Sequence, residues 1–287
     1  MKTLKSALRE NCKECNSNGY FDSYKQNVYK NKMEQRFQEM FDAGDGNELH
    51  SKAEAVHSSS MLAYNFFHWI KDEDGKRFTW EGVTYSEVYF EVKMKAISKP
   101  ANMDVLLVGE KNGKKHLLFI ESKFLEYIDN NSFKLSDSYK KNNEIKWEDI
   151  INNVPLHKGY MYGIKQNITH LFGIHGLKNG GGFTGKMGES LNKLIGDINY
   201  NNMEFINLIF HPAKIYEDES KYNGYKNLFE KFEKYLTENK KELGLEVIPK
   251  WVSYSKLWKE MENQIPDEKL KRYLNDRYMQ YACPNEQ

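Results

Sequence analysis

Cysteine is scarce in this chain of 287 residues, which contains 3 cysteines. Cys12 and Cys15 form a CxxC pair, but the only other cysteine is Cys283, so a four-cysteine zinc site lacks its second half. Histidines could complete such a site in principle, but two reduced thiols are the simpler expectation. The cysteine content therefore argues against a structural zinc centre.

Long apolar runs are also missing. The first ten residues contain no apolar stretch of the length that a signal peptide needs, and no later segment is long enough to span a bilayer. We therefore expect a cytoplasmic protein without a membrane partner.

Neither sign of charge is in excess, since 42 Lys and Arg residues balance 41 Asp and Glu residues to give a net charge of +1. The mean hydropathy of -0.79 is typical of a soluble chain with a polar surface. A balanced charge neither demands nor excludes nucleic acid, because phosphate binding needs only a local concentration of lysines. The candidates near the hairpin described next are Lys111, Lys114, Lys115, Lys140 and Lys141.

What the chain does contain is the signature of a β-hairpin. The dipeptide Asn112-Gly113 separates two apolar runs. Asn-Gly favours a two-residue type I′ turn, in which Lys111 would face Lys114. The opposed pairs further along both strands follow by counting outward, so the turn predicts the whole register.

Three charged side chains meet at the open end of this hairpin. In the predicted register Asp104 faces Glu121, with Cβ atoms about 4.5–5.5 Å apart. Lys123 lies two residues beyond Glu121 and shares its face, because side chains alternate along a strand. Opposed like charges destabilise a sheet unless a positive charge lies between them, and a hard divalent cation would serve. Lys123 would then position or deprotonate a metal-bound water, or stabilise charge on a phosphate.

This motif, Asp104 followed by a hairpin and a Glu-x-Lys triplet, resembles that of the PD-(D/E)XK nuclease superfamily, whose fold is restriction-endonuclease-like. Pro100 stands four residues before Asp104 rather than beside it, a departure that leaves the predicted ligands untouched. The resemblance covers residues 44–212 and implies a metal-dependent phosphodiesterase acting on nucleic acid. The triplet alone is weak evidence because it recurs elsewhere, but only Glu121 follows an apolar strand in register with an aspartate. The other triplets begin at Glu91, Glu144, Glu219 and Glu238.

Hydrophobic periodicity predicts the elements around the hairpin. In chain order they are helices at 24–43 and 48–70, a strand at 86–96, the hairpin, a helix at 156–172 and a strand at 205–210. This order matches an α/β protein with a restriction-endonuclease-like αβββαβ core, a mixed central sheet and helices on both faces. Residues 1–215 would form the core with its N-terminal helices, and residues 216–287 a helical C-terminal extension packed on the same domain. Gly159 and Gly163 would let their helix pack closely on the sheet.

The resemblance also implies an acidic residue from the helix that precedes the sheet, and Glu48 and Glu54 compete for this role. Glu48 follows a glycine-rich turn at a helix start, where a carboxylate would also stabilise the helix dipole. Glu54 lies further along the same predicted helix. Glu91, on the first strand, is expected to pair with a lysine across the sheet.

The helix after the hairpin carries a polar stripe in which Tyr162, Gln166 and His170 lie four residues apart. Related nucleases often place a Gln or Lys from this helix near the scissile phosphate, so the resemblance makes Gln166 and Lys165 further candidates. His170 is expected to have a structural role.

A competing motif lies at residues 180–186, which have the GxxxxGK spacing of a phosphate-binding P-loop. Met187 stands where such a loop needs Ser or Thr to hold magnesium, and no clear strand leads into it. A loop near the substrate is the better interpretation.

These features predict a magnesium-dependent endonuclease that hydrolyses DNA phosphodiester bonds by metal-activated water, with Mn²⁺ as an expected substitute. Asp104, Glu121 and Glu48 would bind the ion, and Lys123 would orient the nucleophile. The alternative is a catalytically silent nucleic-acid-binding or interaction module that retains the nuclease fold. The C-terminal helices would support the sheet, form a homodimer contact or shape a nucleic-acid groove, and the sequence leaves these three roles open.

Overall fold

A mixed seven-stranded sheet forms the centre of the molecule. The computed structural model describes residues 1–44, 48–97, 99–126, 161–178, 181–196 and 198–284, together with residues 146, 149, 150 and 153. The strands within these residues are β1 (Phe78–Trp80), β2 (Val83–Met94), β3 (Ala101–Lys111), β4 (Lys114–Lys123), β5 (Phe183–Thr184), β6 (Met203–Ile209) and β7 (Pro249–Ser253). Their order is β1-β2-β3-β4-β6-β7, and β5 pairs with β2. The first four strands run antiparallel, whereas β6 and β7 add in parallel.

Helices cover both faces of this sheet. Those of the described residues are α1 (Leu4–Asn11), α2 (Gln35–Asp42), α3 (Ser59–Phe67), α4 (Met161–Gly176), α5 (Gly188–Ile195), α6 (Asp218–Glu238), α7 (Tyr254–Met261) and α8 (Glu268–Arg277). One core lies between the sheet and helices α2, α3, α7 and α8, and the other between the sheet and α4, α5 and α6. The α/β class with a mixed sheet flanked by helices is therefore confirmed. In the described part of the chain, no helix has both the length and the apolar character needed to cross a membrane.

The predicted hairpin is confirmed in its turn and in its register. Asn112 and Gly113 have φ angles of 52° and 72°, as a type I′ turn requires. Lys111 pairs with Lys114, and the ladder continues without a shift to its last pair, Val105 with Ile120. The side chains beyond that pair form the open end of the hairpin.

The two long N-terminal helices predicted from periodicity are wrong in extent. Positive φ angles at Lys30 and Asn31 interrupt the first one, leaving 3-10 turns before α2. The amide of Tyr29 is bound by the side chain of Asn65 instead of a local carbonyl. The buried Asn27 side chain donates to two carbonyls of residues 53–55. Tertiary hydrogen bonds thus replace helical ones.

The second predicted helix is divided into a π-helical turn, Glu48–Lys52, and α3. Between them the backbone pairs with the loop at residues 19–21, where Phe21 donates to the carbonyl of Glu54 and Val56 donates to that of Gly19. Helix α3 then begins afresh with Ser58, whose hydroxyl accepts a hydrogen bond from the amide of Met61.

The C-terminal segment contains a strand that the sequence analysis did not predict. β7 extends the sheet in parallel beside β6, with Pro249 at its first residue, where a missing amide is tolerated. The segment is otherwise helical, as predicted. In the region of the competing P-loop motif, β5 pairs antiparallel with the end of β2, and α5 begins at Gly188, after Met187.

The expectation of two reduced thiols is also wrong, because a disulfide joins Cys12 and Cys15 directly after α1. Cys283 is buried and unpaired. Since disulfides are rare in reducing compartments, the cytoplasmic location stays a prediction.

Helix α4 approaches the sheet most closely at a glycine. A Cβ atom on Gly173 would lie 2.9 Å from the Cβ of Met94 and 3.0 Å from that of Ala101. Of the two glycines predicted for this role, Gly159 lies outside the described residues, and Gly163 lies in α4 at a position whose side-chain surroundings are not described. Gly173 therefore sets the distance between α4 and the sheet.

We expect Gly173→Val to lower the free energy of unfolding by about 1–3 kcal/mol, because the added methyl groups overpack this contact. Chemical denaturation monitored by circular dichroism would measure the change. Asn227→Val, on the exposed face of α6, is the matched control and should cost under about 1 kcal/mol. Equal losses for the two variants would show that the contact at Gly173 has no special role.

Candidate active site

A cavity of about 530 Å³ lies at the end of the hairpin opposite the Asn-Gly turn. Asp104 at the start of β3 and Lys123 at the end of β4 line it, and Gln166 reaches it from α4. Glu121 lies beside Lys123 and is 1% exposed. The structure therefore brings together the three charged residues of the predicted motif and two residues of the predicted polar stripe, Gln166 and His170.

Lys123 and Glu121 form a buried ion pair. The Lys123 ammonium donates to Oε1 of Glu121 over 2.5 Å, and the lysine is 7% exposed. Burial opposes the charge on Lys123, but the carboxylates of Glu121, Asp104 and Glu126 outweigh that effect and raise its pKa. The side chain is thus an ammonium group at neutral pH, which makes it a hydrogen-bond donor and a source of positive charge.

Asp104 is the second carboxylate of the site. Its Oδ2 accepts a hydrogen bond from the amide of Ser122 over 2.7 Å. The Ser122 hydroxyl lies 2.7 Å from the hydroxyl of Tyr254, so the strand end that carries the site is anchored to α7. Burial and the nearby charge of Glu121 raise the pKa of Asp104 to about 8, although Lys123 acts in the opposite direction. Burial also raises the pKa of Glu121.

His170 joins the site from α4. One ring nitrogen, Nε2, lies 3.0 Å from the carbonyl oxygen of Asn102, and the other, Nδ1, lies 3.5 Å from Oε2 of Glu121. Burial lowers the pKa of His170 to about 4, so the ring is neutral and its proton belongs on Nε2, where the carbonyl accepts it. Two lone pairs, on Nδ1 and Oε2, then face each other, and a proton or a cation between them would remove their repulsion.

Glu91 is a buried carboxylate that the sequence analysis placed in a cross-strand pair with a lysine. It is 3% exposed, lines the cavity and accepts a hydrogen bond from the side-chain amide of Asn102. Its φ of 50° lies in the left-handed region, which a residue other than glycine rarely adopts inside a strand. In the sequence, Glu91 is recognisable only as a carboxylate inside an apolar run. That pattern does not reveal the left-handed backbone conformation.

The left-handed backbone at Glu91 coincides with a reversal of the faces of the sheet. Before it, Phe90 and its partner Val105 pack into the core on the α3 side. After it, Val92 and its partner Met103 pack into the core on the α4 side, although regular alternation would keep them on the first side. The sheet is therefore distorted between the pairs Phe90–Val105 and Val92–Met103, where Glu91 and Asp104 lie, and this distortion brings the Glu91 carboxylate to the cavity.

The two acids predicted for the preceding helix have different outcomes. The side chain of Glu48 lies outside the described residues. Glu54 does not line the cavity, and its carbonyl binds the loop at Phe21. Glu126 does line it, and its carboxylate accepts hydrogen bonds from the amides of Phe124 and Leu125. In the described part of the chain, the further acids that line the cavity are therefore Glu91, Glu126 and Asp218, the last of which accepts a hydrogen bond from the amide of Leu4.

The other polar candidates also differ from prediction. Lys165 does not line the cavity, and the side chain of Tyr162 lies outside the described residues. Lys111, Lys114 and Lys115 lie at the turn, seven residues of β3 from Asp104, which is about 23 Å. They are too distant to bind the same phosphate as the site. Lys140 and Lys141 lie outside the described residues.

The donor atoms at the site fit a hard cation with few protein ligands. Among the described residues, no group of three or more His, Cys, Asp or Glu side chains has the arrangement of a metal centre. Mg²⁺ is often held by one or two carboxylates and keeps several waters, so Asp104 and Glu121 would suffice. Oε2 of Glu121 and Oε1 of Gln166 are buried and accept no hydrogen bond within the described part of the chain. Both are oxygen atoms, the type that Mg²⁺ and Mn²⁺ prefer.

No protein-family model, curated protein or solved structure matches this chain. Its function must therefore be inferred from the side chains at the open end of the hairpin.

We expect Asp104→Asn to stabilise the metal-free protein at alkaline pH. Because the folded-state pKa of Asp104, about 8, lies above its ordinary value of 3.8, its carboxyl favours folding below pH 3.8, and this contribution is lost as the pH rises to 8. The asparagine keeps the hydrogen-bond acceptor without the charge. Thermal unfolding with a chelator should show a gain of about 1–2 kcal/mol at pH 8.5 and a smaller one at pH 5.

Asp276→Asn is the matched control, because it removes an exposed aspartate from α8. It should change the melting temperature little at either pH. A loss of stability for Asp104→Asn at pH 8.5, or an equal gain for the control, would contradict the prediction.

Proposed function

We propose that this chain is a metal-dependent endonuclease that hydrolyses phosphodiester bonds in DNA. The observation that carries the proposal is the convergence of Asp104, Glu121 and Lys123 at the open end of one hairpin, beside a cavity. The order β2, β3, β4, α4 and β6 supports it, because apart from the short β5 and α5, which lie between α4 and β6, it follows the βββαβ order expected of a restriction-endonuclease-like core. A buried cluster of acids with raised pKa values is also typical of functional sites.

Asp104 and Glu121 would hold the ion, which is Mg²⁺ in this proposal and is replaceable by Mn²⁺. When bound, it would supply a water of lowered pKa as the nucleophile and positive charge for the phosphate. Glu91, which lies on the strand next to that of Asp104, would add a further carboxylate to the same wall of the cavity. The raised pKa values of the acids are consistent with this role, since a divalent cation replaces the proton that the metal-free cluster retains.

Lys123 would stabilise the transition state as a cation. Its ion pair with Glu121 keeps it protonated, so it is unsuited to remove a proton from water. An ammonium group in a buried site is instead well placed to donate to a phosphate oxygen as negative charge develops there. Gln166 would add a neutral amide at the same cavity, where it could orient the water or the phosphate.

The test is cleavage of supercoiled plasmid and of single-stranded DNA with Mg²⁺, with Mn²⁺ and with chelator. The wild-type chain should cut in the presence of either metal and not with chelator. Lys123→Ala and Asp104→Ala should each lower the rate at least about 100-fold, as removal of one charge-stabilising group does in other hydrolases. Gln166→Ala should lower it about tenfold.

Lys114→Ala is the matched control, because it removes an exposed lysine from the turn of the same hairpin. It should leave cleavage unchanged. Isothermal titration with Mn²⁺ provides a second measurement, and binding should be lost in Asp104→Ala. If no substrate is cut and no metal binds, the enzyme proposal fails and a catalytically silent nucleic-acid-binding or interaction module takes its place.

A further inference from the structure

Three exposed lysines lie around the cavity, on segments far apart in the sequence. Lys5 belongs to α1, Lys52 ends the π-helical turn, and Lys221 lies in the first turn of α6. Lys5 and Lys221 form no ion pair with any described residue. Their positive charge is therefore available to an anion that enters the cavity.

Asp104, Glu91 and Lys123 line the cavity from the sheet, whereas the exposed lysines line it from helical segments. Two further acids also line it, Glu126 just beyond β4 and Asp218 at the start of α6, whose carboxylate accepts a hydrogen bond from the amide of Leu4. A substrate with regularly spaced phosphates would match this separation between the sheet and the helical segments. One phosphate would lie at the acids with their cation, and its neighbours would lie at the lysines.

The size of the cavity limits what can reach the acids. Its wall is formed by α1, the segment at residues 52–60, strands β2 to β4, and helices α4 and α6. Its volume of about 530 Å³ falls in the range of about 300–1,000 Å³ that is typical of sites enclosing a small molecule. A few unpaired nucleotides are of this size. A continuous duplex, whose major groove alone is about 12 Å wide, is not.

An aromatic ring completes this arrangement. Tyr20 lines the cavity, is 36% exposed and meets the ring of His57 edge to face, with the centroids 6.3 Å apart. Proteins that bind single-stranded nucleic acids combine aromatic rings, on which the bases stack, with ammonium groups that pair with the phosphates. Tyr20 and the exposed lysines provide both kinds of group at this cavity.

We propose that the cavity binds an unpaired DNA strand, with Lys5 and Lys221 on its phosphates and Tyr20 under a base. This substrate class rests on the nuclease function proposed above. A duplex would be cut only where its strands separate or end.

The test is fluorescence anisotropy of the full chain, in chelator, with a labelled 15-nucleotide DNA strand and with the same sequence as a blunt hairpin duplex. The single strand should bind at least tenfold more tightly. The double variant Lys5→Ala/Lys221→Ala should weaken single-strand binding at least tenfold. It should also reduce the slope of log K against log salt concentration by about 1.4, since each lost phosphate contact contributes about 0.7.

Lys240→Ala/Lys241→Ala is the matched control, because it removes the same charge just beyond the far end of α6, about 30 Å along the helix from Lys221. Its affinity and salt dependence should equal those of the wild type. Tyr20→Ala should weaken single-strand binding about tenfold, and Tyr20→Phe, which keeps the ring, should restore it.

Duplex binding as tight as single-strand binding would overturn the substrate class, and so would equal losses for the two double-lysine variants. Neither result bears on the nuclease proposal. That proposal is tested separately, by whether plasmid cleavage depends on Lys123. Absence of both cleavage and metal binding would overturn the proposed function itself.

Discussion

The structure of the site depends on one constraint, the placement of two carboxylates, a buried one at Glu121 and a half-buried one at Asp104, beside a single ammonium group. Glu121 and Lys123 neutralise each other, and Asp104 is then a second acid in the same poorly solvated place. Such an arrangement is unfavourable in isolation, because removing a charge from water costs several kcal/mol unless a partner compensates for it. The strand register nevertheless forces these residues together. The raised pKa of Asp104 gives the outcome for the metal-free chain, which keeps a proton there, and in the proposed function a cation takes the place of that proton.

The hairpin was predictable because its determinants are local. Asn112-Gly113 requires positive φ angles at two successive residues, and once the turn forms, the register of both strands follows. The N-terminal helices were not predictable in extent, because the side chains of Asn27 and Asn65 hydrogen-bond to backbone groups distant in the sequence. Hydrophobic periodicity reports which residues are buried, but it does not report which backbone groups find partners elsewhere.

The residues of the candidate site also differ in whether local sequence or tertiary packing determines their position. Asp104, Glu121 and Lys123 could be found from the sequence because one hairpin carries all three. Glu91 was missed as a site residue because its position depends on a left-handed backbone in the middle of a strand. The sequence places His170 on the same helical stripe as Gln166, but its contact with Glu121 depends on how that helix packs on the sheet. Residues brought in by packing leave no periodic signal.

The positive and negative side chains, which balance in number over the whole chain, are unevenly distributed around the cavity. A net charge of +1 was uninformative about nucleic acid because it sums over the whole surface. At the cavity the charges have an arrangement that this sum hides, because Asp104, Glu91 and Lys123 lie on the sheet and the exposed lysines lie on the surrounding helical segments. In the proposed function each set meets a ligand of opposite charge, a cation for the acids and phosphates for the exposed lysines. A phosphodiester bound with a metal ion would satisfy both sets at once, which neither ligand would do alone.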